Sequence, residues 1–123
     1  MATIADKVLD DGLNTLTNDA NRVDITSQEA TSYTDATSTS TLGNTTSITI
    51  SSPADRTGGG RKVTLSAISG GSVTGTGTAT HYSISDTTNS VLLVTGSLTA
   101  SQSVTTGNTF SLEALDVGIP DPS

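Results

Sequence analysis

The chain has 123 residues and a net charge of −7 at pH 7, and it contains no Cys, no Trp, one His and one Phe. Its length is that of one domain, and a hydrophobic content of 32% predicts a thin core of Val, Ile, Leu and Ala. The acidic balance argues against nucleic acid and anionic membranes as partners, and the lack of Cys excludes disulfides and thiolate metal sites.

The N-terminal residues, from Thr3 to about Asn18, predict a short amphipathic helix. Thr3 stands at the N-cap position, and Asp6 follows three residues later, where a carboxylate suits the positive end of the helix dipole. Gly12 in the helix interior costs about 1 kcal/mol relative to Ala, so we expect the helix to need a surface to pack against. The apolar residues at near-helical spacing are Ile4, Val8, Leu9, Leu13 and Leu16.

From Arg22 onward apolar and polar residues alternate with a period of two, which is typical of half-buried strands. The pattern predicts a mainly β fold, an antiparallel β-sandwich or barrel of about seven to eight short strands with a short N-terminal helix. We expect Leu65 and Leu112 in the core. The candidate strands are Val23–Ile25, Ile48–Ile50, Val63–Ala67, Thr78–Ser85, Ser90–Leu98, Ser101–Thr105 and Thr109–Leu115.

We expect a single domain over residues 1–123, made of a helical segment (1–20), a β domain (22–117) and a C-terminal tail (118–123). The start of the chain lacks the basic and apolar regions of a secretory signal. No apolar run approaches the roughly 18–20 residues that cross a bilayer. These features predict synthesis in the cytoplasm and no membrane partner.

The polar stretch from Gln28 to Thr41 contains only Tyr33 as an anchor. A polar segment of this length is uncommon inside a compact domain unless it has a function. Two interpretations stay open, a loop that lies along the surface and an arm that contacts another molecule.

Three of the five basic residues, Arg56, Arg61 and Lys62, cluster around the glycines Gly58–Gly60. The spacing of a phosphate-binding P-loop is missing, because Arg61 separates the last Gly from Lys62 and no Ser or Thr directly follows that Lys. A β-hairpin turn is the predicted structure. The charge of the turn leaves two interpretations, a solvated flexible turn and a contact with an acidic partner.

Neither a catalytic nor a metal-binding constellation is evident in the sequence. His81 is the only His, and it stands five positions from Asp86, which separates the two by roughly 16 Å along a strand. A lone His in a strand is more often a structural hydrogen-bonding residue than a base. Scattered carboxylates form no EF-hand or other dense calcium loop. They are Asp10, Asp11, Asp55, Asp116 and Asp121. We therefore predict no enzyme activity, no cofactor and no metal.

Several segments follow one another in the order found in a known group of proteins. They are Ala5–Leu13, Arg22–Ile25, Thr80–Asp86, Leu92–Thr99 and Val104–Phe110. In this order they resemble small virion proteins of tailed bacteriophages, which are capsid decoration (cement) proteins or tail and fibre proteins. The resemblance implies a β-sandwich-like subunit, often multimeric, that binds a virion lattice.

The predicted function is that of a non-enzymatic virion structural protein, a capsid decoration (cement) protein that binds and stabilises the phage head shell. The alternative is a tail or fibre-associated β-sandwich protein with a binding role in host attachment. The expected partners are the major capsid protein lattice and further copies of the chain. A homo-oligomer would complete the thin core, and a trimer is favoured if it caps three-fold positions. The expected location is the virion, after synthesis in the host cytoplasm.

Because the chain is acidic, adhesion to a shell needs apolar contacts, strand pairing or a local patch of opposite sign. We expect the basic turn to contact acidic groups of the partner, and the N-terminal segment to bury apolar side chains against it. The predicted contact residues are Arg56, Arg61, Lys62, Ile4, Val8 and Leu9.

Overall fold

Strands account for 49% and helices for 18% of residues 5–120, the part of the chain that the computed structural model describes. Helix α1 spans Asp6–Asp19, and a π-helical turn, Asp35–Thr39, lies between β1 and β2. The strands are β1 (Arg22–Thr26), β2 (Thr41–Thr45), β3 (Ala54–Asp55), β4 (Arg61–Leu65), β5 (Ile68–Val73), β6 (Gly77–Asp86), β7 (Val91–Val104), β8 (Thr109–Leu112) and β9 (Leu115–Ile119).

The strands form two antiparallel sheets. One sheet has the order β7-β6-β1-β2-β5-β8, and the other has the order β3-β4-β9. The predicted mainly β, antiparallel fold with an N-terminal helix is therefore confirmed. The chain divides into two compact units, a helical unit of residues 1–19, 49–67 and 113–123, and a sheet unit of residues 20–48 and 68–112. The expectation of a single domain stays a prediction.

The core of the helical unit lies between α1 and β4. The buried residues of α1 are Leu9, Leu13 and Leu16. They share one face of the helix because they are three or four residues apart. Val63 and Leu65 of β4, the strand against which α1 packs, are each 1% exposed, which confirms the predicted core position of Leu65. The predicted N-cap, Thr3, lies outside the described residues.

In the sheet unit the apolar core lies on one face of the six-stranded sheet. Val23 pairs with Ile84, and two residues later Ile25 pairs with Gly43 of β2, so the four positions share this face. Gly43 leaves room for the only Phe of the chain, because a Cβ there would lie 3.1 Å from two ring carbons of Phe110. An aromatic ring thus occupies the space that side chains on β2 would otherwise fill.

The opposite face of β1 buries an ion pair. Arg22 binds Asp24 through two hydrogen bonds, Nε to Oδ1 at 2.8 Å and Nη2 to Oδ2 at 2.9 Å, and the hydroxyl of Thr41 donates to Oδ2 at 2.7 Å. The Asp24 side chain is fully buried, whereas that of Arg22 is 21% exposed. The hydrogen bonds to Asp24 raise the pKa of Arg22 above its ordinary value. The neighbouring hydroxyls of Ser83 and Ser85 on β6 are buried without a hydrogen-bond partner among the described residues.

The polar segment between β1 and β2 packs along this face as a folded loop. The carbonyl of Thr37 accepts a hydrogen bond of 3.3 Å from the β1 guanidinium, and Ala30 and Ala36 are buried. The carboxylate of Asp35 accepts hydrogen bonds, chiefly from the Ser40 hydroxyl, that hold the pKa of this carboxyl below its usual range. Of the two sequence interpretations, the structure supports a loop that lies along the surface, with the buried Ala30 and Ala36 as anchors. That the segment contacts another molecule stays a prediction.

The strand pattern departs from the prediction at several places: β2, β3 and β5 were not predicted, and the predicted strands Ser90–Leu98 and Ser101–Thr105 form one strand, β7. Ile48–Ile50 forms no strand but a single bridge to Leu65, so that predicted strand is wrong. Strand β5 was not predicted because Gly70–Gly71 has the sequence of a turn, whereas in the structure it forms a bulge, with Gly70 at a φ of +81°. The predicted strand Thr109–Leu115 is divided between the two sheets, and Leu112 is buried as predicted.

Candidate functional site

The basic cluster lies on the β3–β4 hairpin of the helical unit. Asp55 pairs with Arg61, and the chain reverses through residues 56–60. Gly58–Gly60 have φ angles of +91°, +104° and +92°, a region that residues with a Cβ enter only at a cost. The predicted hairpin turn is confirmed, and its glycines are required by backbone conformation.

Arg61 is directed toward α1 and is neutralised within the unit. Its Nε donates to Asp10 Oδ1 at 2.8 Å, its Nη1 donates to Asp55 Oδ1 at 2.6 Å, and an oxygen of Asp6 lies 3.8 Å from Nη1. The hydrogen bonds to Asp10 and then Asp55 raise the pKa of Arg61 above its ordinary value. Its side chain is only 18% exposed. Arg61 therefore joins the helix to the hairpin, and a partner would have to compete with carboxylates of the same unit.

Lys62 is paired across the three-stranded sheet. Its Nζ lies 3.0 Å from Asp116 Oδ2, and the hydroxyl of Thr64 donates to Asp116 Oδ1 at 2.7 Å. The Thr64 hydroxyl and then Lys62 hold the pKa of Asp116 below its usual range. Both oxygens of this carboxylate therefore have a donor, while Lys62 retains donors for a further contact.

Arg56 differs from the other basic residues of the chain. Its Nη1 donates to the carbonyls of Gly59 at 3.0 Å and Thr57 at 3.4 Å, both within its own turn. Among residues 5–120 it pairs with no carboxylate, whereas Lys7, Arg22, Arg61 and Lys62 each do. Its side chain lies against Gly118 of β9, where a Cβ would lie 3.0 Å from Arg56 Cδ. An open cleft, the Arg56 cleft, is lined by Arg56, Thr57, Lys62, Asp116 and Gly118.

The outer face of α1 carries an exposed apolar patch. Val8 is 63% exposed, and Gly12 follows it by one turn on the same face. The side chain of Ile119, which is 37% exposed, lies beside Gly12, because a Cβ there would be 3.8 Å from Ile119 Cδ1. Val8, Gly12 and Ile119 together form this apolar patch. Ile119 was predicted to belong to the C-terminal tail, but it lies in β9, where Leu115, Val117 and Ile119 alternate as strand residues do.

The other two apolar contact residues predicted from the sequence are not part of this patch. Leu9 is 3% exposed and belongs to the core under α1, so its side chain is not available to a partner. That prediction is corrected, because Leu9 lies on the helix face that packs against β4. Ile4 lies outside the described residues.

His81 and Asp86 make separate contacts. His81 Nδ1 shares a hydrogen bond of 2.8 Å with the Thr80 hydroxyl. Asp86 closes the β6–β7 turn by accepting from the amide nitrogens of Thr88 at 2.9 Å and Asn89 at 3.3 Å. Within the part of the chain that the structure describes, no three His, Asp or Glu side chains gather into a metal-binding group. Asp121, one of the scattered carboxylates, is not among the described residues.

Comparisons of the chain with protein-family models, with curated proteins and with solved structures found no match. The resemblance to phage virion proteins stays a prediction. Among residues 5–120, none of the helices has both the length and the apolar character needed to cross a membrane. The described surface thus offers two features for recognition, the apolar patch on α1 and the Arg56 cleft.

Proposed function

We propose that the chain is a virion structural protein of a tailed bacteriophage, a capsid decoration protein that attaches to the head shell through its helical unit. The observation that carries this proposal is the apolar patch. Val8 and Ile119 are two of the three large hydrophobic residues that are exposed in residues 5–120. Large aliphatic side chains gain about 1.5–3 kcal/mol each on full burial, so a shell protein that covers the patch would gain affinity without relying on charge.

The charge of the chain explains why such a patch suits adhesion. A protein with a net charge of −7 is repelled at long range by an acidic surface. Apolar burial is insensitive to that repulsion once the two surfaces meet, whereas exposed ion pairs contribute little on their own. A short helix that presents Val8 beside the exposed Lys7–Asp11 ion pair can therefore still bind a largely uncharged depression on a shell.

Rebinding of purified protein to phage heads stripped of it, followed by sedimentation, tests this function. We expect a Val8→Asp/Ile119→Asp variant to sediment with the heads far less than the unmodified protein. Val91→Asp is the matched control, because Val91 is the third exposed aliphatic residue and lies in the sheet unit. Failure of the unmodified protein to bind, or equal binding by the double variant, contradicts the proposal. If gold-labelled antibodies against the protein bind only to the tail of the virion, the alternative tail or fibre role is supported instead.

We also propose that the working unit is a homo-oligomer, with a trimer expected at three-fold positions of a shell. The support is the low hydrophobic content of 32%, since association buries apolar surface that a single subunit leaves in water. Light scattering at micromolar concentration measures the mass directly. A strict monomer with a melting temperature independent of concentration would show that each subunit binds singly.

A further inference from the structure

We propose that the Arg56 cleft is a binding site for a single carboxylate side chain of a partner protein. Arg56 is the only basic residue without a carboxylate partner among residues 5–120, in a chain that has 12 carboxylates and five basic residues. Within this part of the chain, the fold thus leaves one guanidinium without a carboxylate while it pairs the other four basic groups.

The guanidinium is also held in place before any ligand arrives. Nη1 donates to the carbonyls of Gly59 and Thr57, and Cδ and Nε of the side chain rest against Gly118. Nε and Nη2 donate to no group among the described residues, and this edge of the guanidinium matches the two oxygens of a carboxylate. A side chain that is already ordered loses less entropy on binding than a free one.

The remaining walls of the cleft favour a singly charged ligand. Arg56 and Lys62 contribute two positive charges and Asp116 contributes one negative charge, so the cleft has a local charge of +1. Asp116 accepts hydrogen bonds from Lys62 and Thr64 and none from Arg56, so in this arrangement it leaves the guanidinium to a ligand. A phosphate or a nucleic acid brings more negative charge toward a chain of −7, which favours a carboxylate over a polyanion.

Titration of the labelled full chain with sodium acetate, at constant ionic strength, tests the site directly. The readout is the amide ¹H–¹⁵N resonances of Thr57 and Gly118, two residues that line the cleft. We expect saturable shifts that Arg56→Gln weakens on the order of tenfold. Lys7→Gln is the matched control, because it removes one positive charge from an exposed pair on α1 and should leave the shifts unchanged. Arg56→Lys should behave like Arg56→Gln, since it keeps the charge but loses the planar pair of donors.

Each other outcome overturns the proposal. Linear shifts, or shifts equal in Arg56→Gln and Lys7→Gln, would show only general charge screening. Tighter binding of inorganic phosphate than of acetate would make the site one for phosphate. A response that appears only in Asp121→Asn would show that the chain's own carboxylate, three residues after Gly118 in the sequence, occupies the cleft.

That the carboxylate belongs to a shell protein rests on the proposed function, and the two can fail separately. In the head-rebinding assay, we expect Arg56→Gln to bind less than Lys7→Gln. If the unmodified protein does not bind heads while acetate still saturates the cleft, the proposed function fails and the site remains. If both variants bind heads equally, the proposed function stands and the shell contact of Arg56 is refuted.

Discussion

Removal of Arg22 should destabilise the sheet unit more than removal of its partner. In Arg22→Met the carboxylate of Asp24 stays fully buried and keeps only the Thr41 hydroxyl as a donor. A buried charge that loses its partner costs about 3–5 kcal/mol, and because one donor remains we expect about 3 kcal/mol. In Asp24→Asn the guanidinium, 21% exposed, can turn toward water, and the new amide oxygen still accepts from Thr41. This change should cost about 1–2 kcal/mol.

The double variant separates the ion pair from its surroundings. Arg22→Met/Asp24→Asn has no buried charge to compensate, so its destabilisation should fall about 2 kcal/mol short of the sum of the single changes. Lys7→Met serves as the control, because it breaks an ion pair whose side chains are 84% and 64% exposed. That change should cost less than about 0.5 kcal/mol.

Urea unfolding, monitored by tyrosine fluorescence, measures these differences in the free energy of unfolding of the sheet unit. The chain has no Trp, and its two Tyr, Tyr33 and Tyr82, both lie in the sheet unit. With a slope of roughly 1–3 kcal/mol per molar urea, a loss of 3 kcal/mol lowers the midpoint by about 1–3 M. An Arg22→Met midpoint close to that of the unmodified protein, or additive single changes, would refute the reasoning.

Four further substitutions test other parts of the fold. Leu65→Ala and Leu112→Ala should each lower the free energy of unfolding by about 2–5 kcal/mol in urea, and a cost below 1 kcal/mol at either site would contradict its core position. Ser83→Ala should be neutral or stabilising by up to about 1 kcal/mol, because it removes a buried hydroxyl without a partner, and a clear loss would mean that this hydroxyl is satisfied. The hydrogen bond from the Asn89 side chain holds the pKa of Asp86 below its usual range. The stability that ionised Asp86 gives to the folded state is therefore complete above about pH 5 and is lost as the pH falls below about 4. In Asp86→Asn the melting temperature should fall less between pH 5 and pH 2 than in the unmodified protein. The same pH dependence in both proteins would exclude this contribution of Asp86.

The sequence predicted the fold class because alternation of apolar and polar residues depends only on which face of a strand is buried. The prediction from the sequence failed where glycine is compatible with two structures, a turn and a bulge within a strand. Gly70–Gly71 has the composition of a turn, yet the pair lies within β5 at a bulge, and the sequence alone does not distinguish these states. It failed again at Ile48–Ile50, where the alternation is present but the segment finds only one bridge in place of a full partner strand.

The candidate site was predicted in composition but not in arrangement. The sequence located Arg56, Arg61 and Lys62 together on one turn, and the structure shows that hairpin. It could not show that Arg61 lies against Asp10, because those residues are 51 positions apart and only the packing of α1 on β4 brings them together. That Arg56 is the one basic residue without a carboxylate partner among residues 5–120 emerges only after the other ion pairs are assigned.

The buried polar face of the sheet unit could not be predicted from the sequence for the same reason, since it depends on contacts between distant residues. Ser and Thr make up 43 of the 123 residues, and a composition of this kind predicts exposed strand faces rather than buried ones. Small hydroxyl side chains nevertheless allow a folded loop to approach the sheet closely, provided that the charges beneath it are paired. Arg22 and Asp24 meet that condition, whereas the uncharged Ser83 hydroxyl is buried there without a partner among the described residues. Stability on this face therefore depends on hydrogen-bond partners more than on apolar area, which is why loss of Arg22 should cost more than loss of a serine hydroxyl at the same depth.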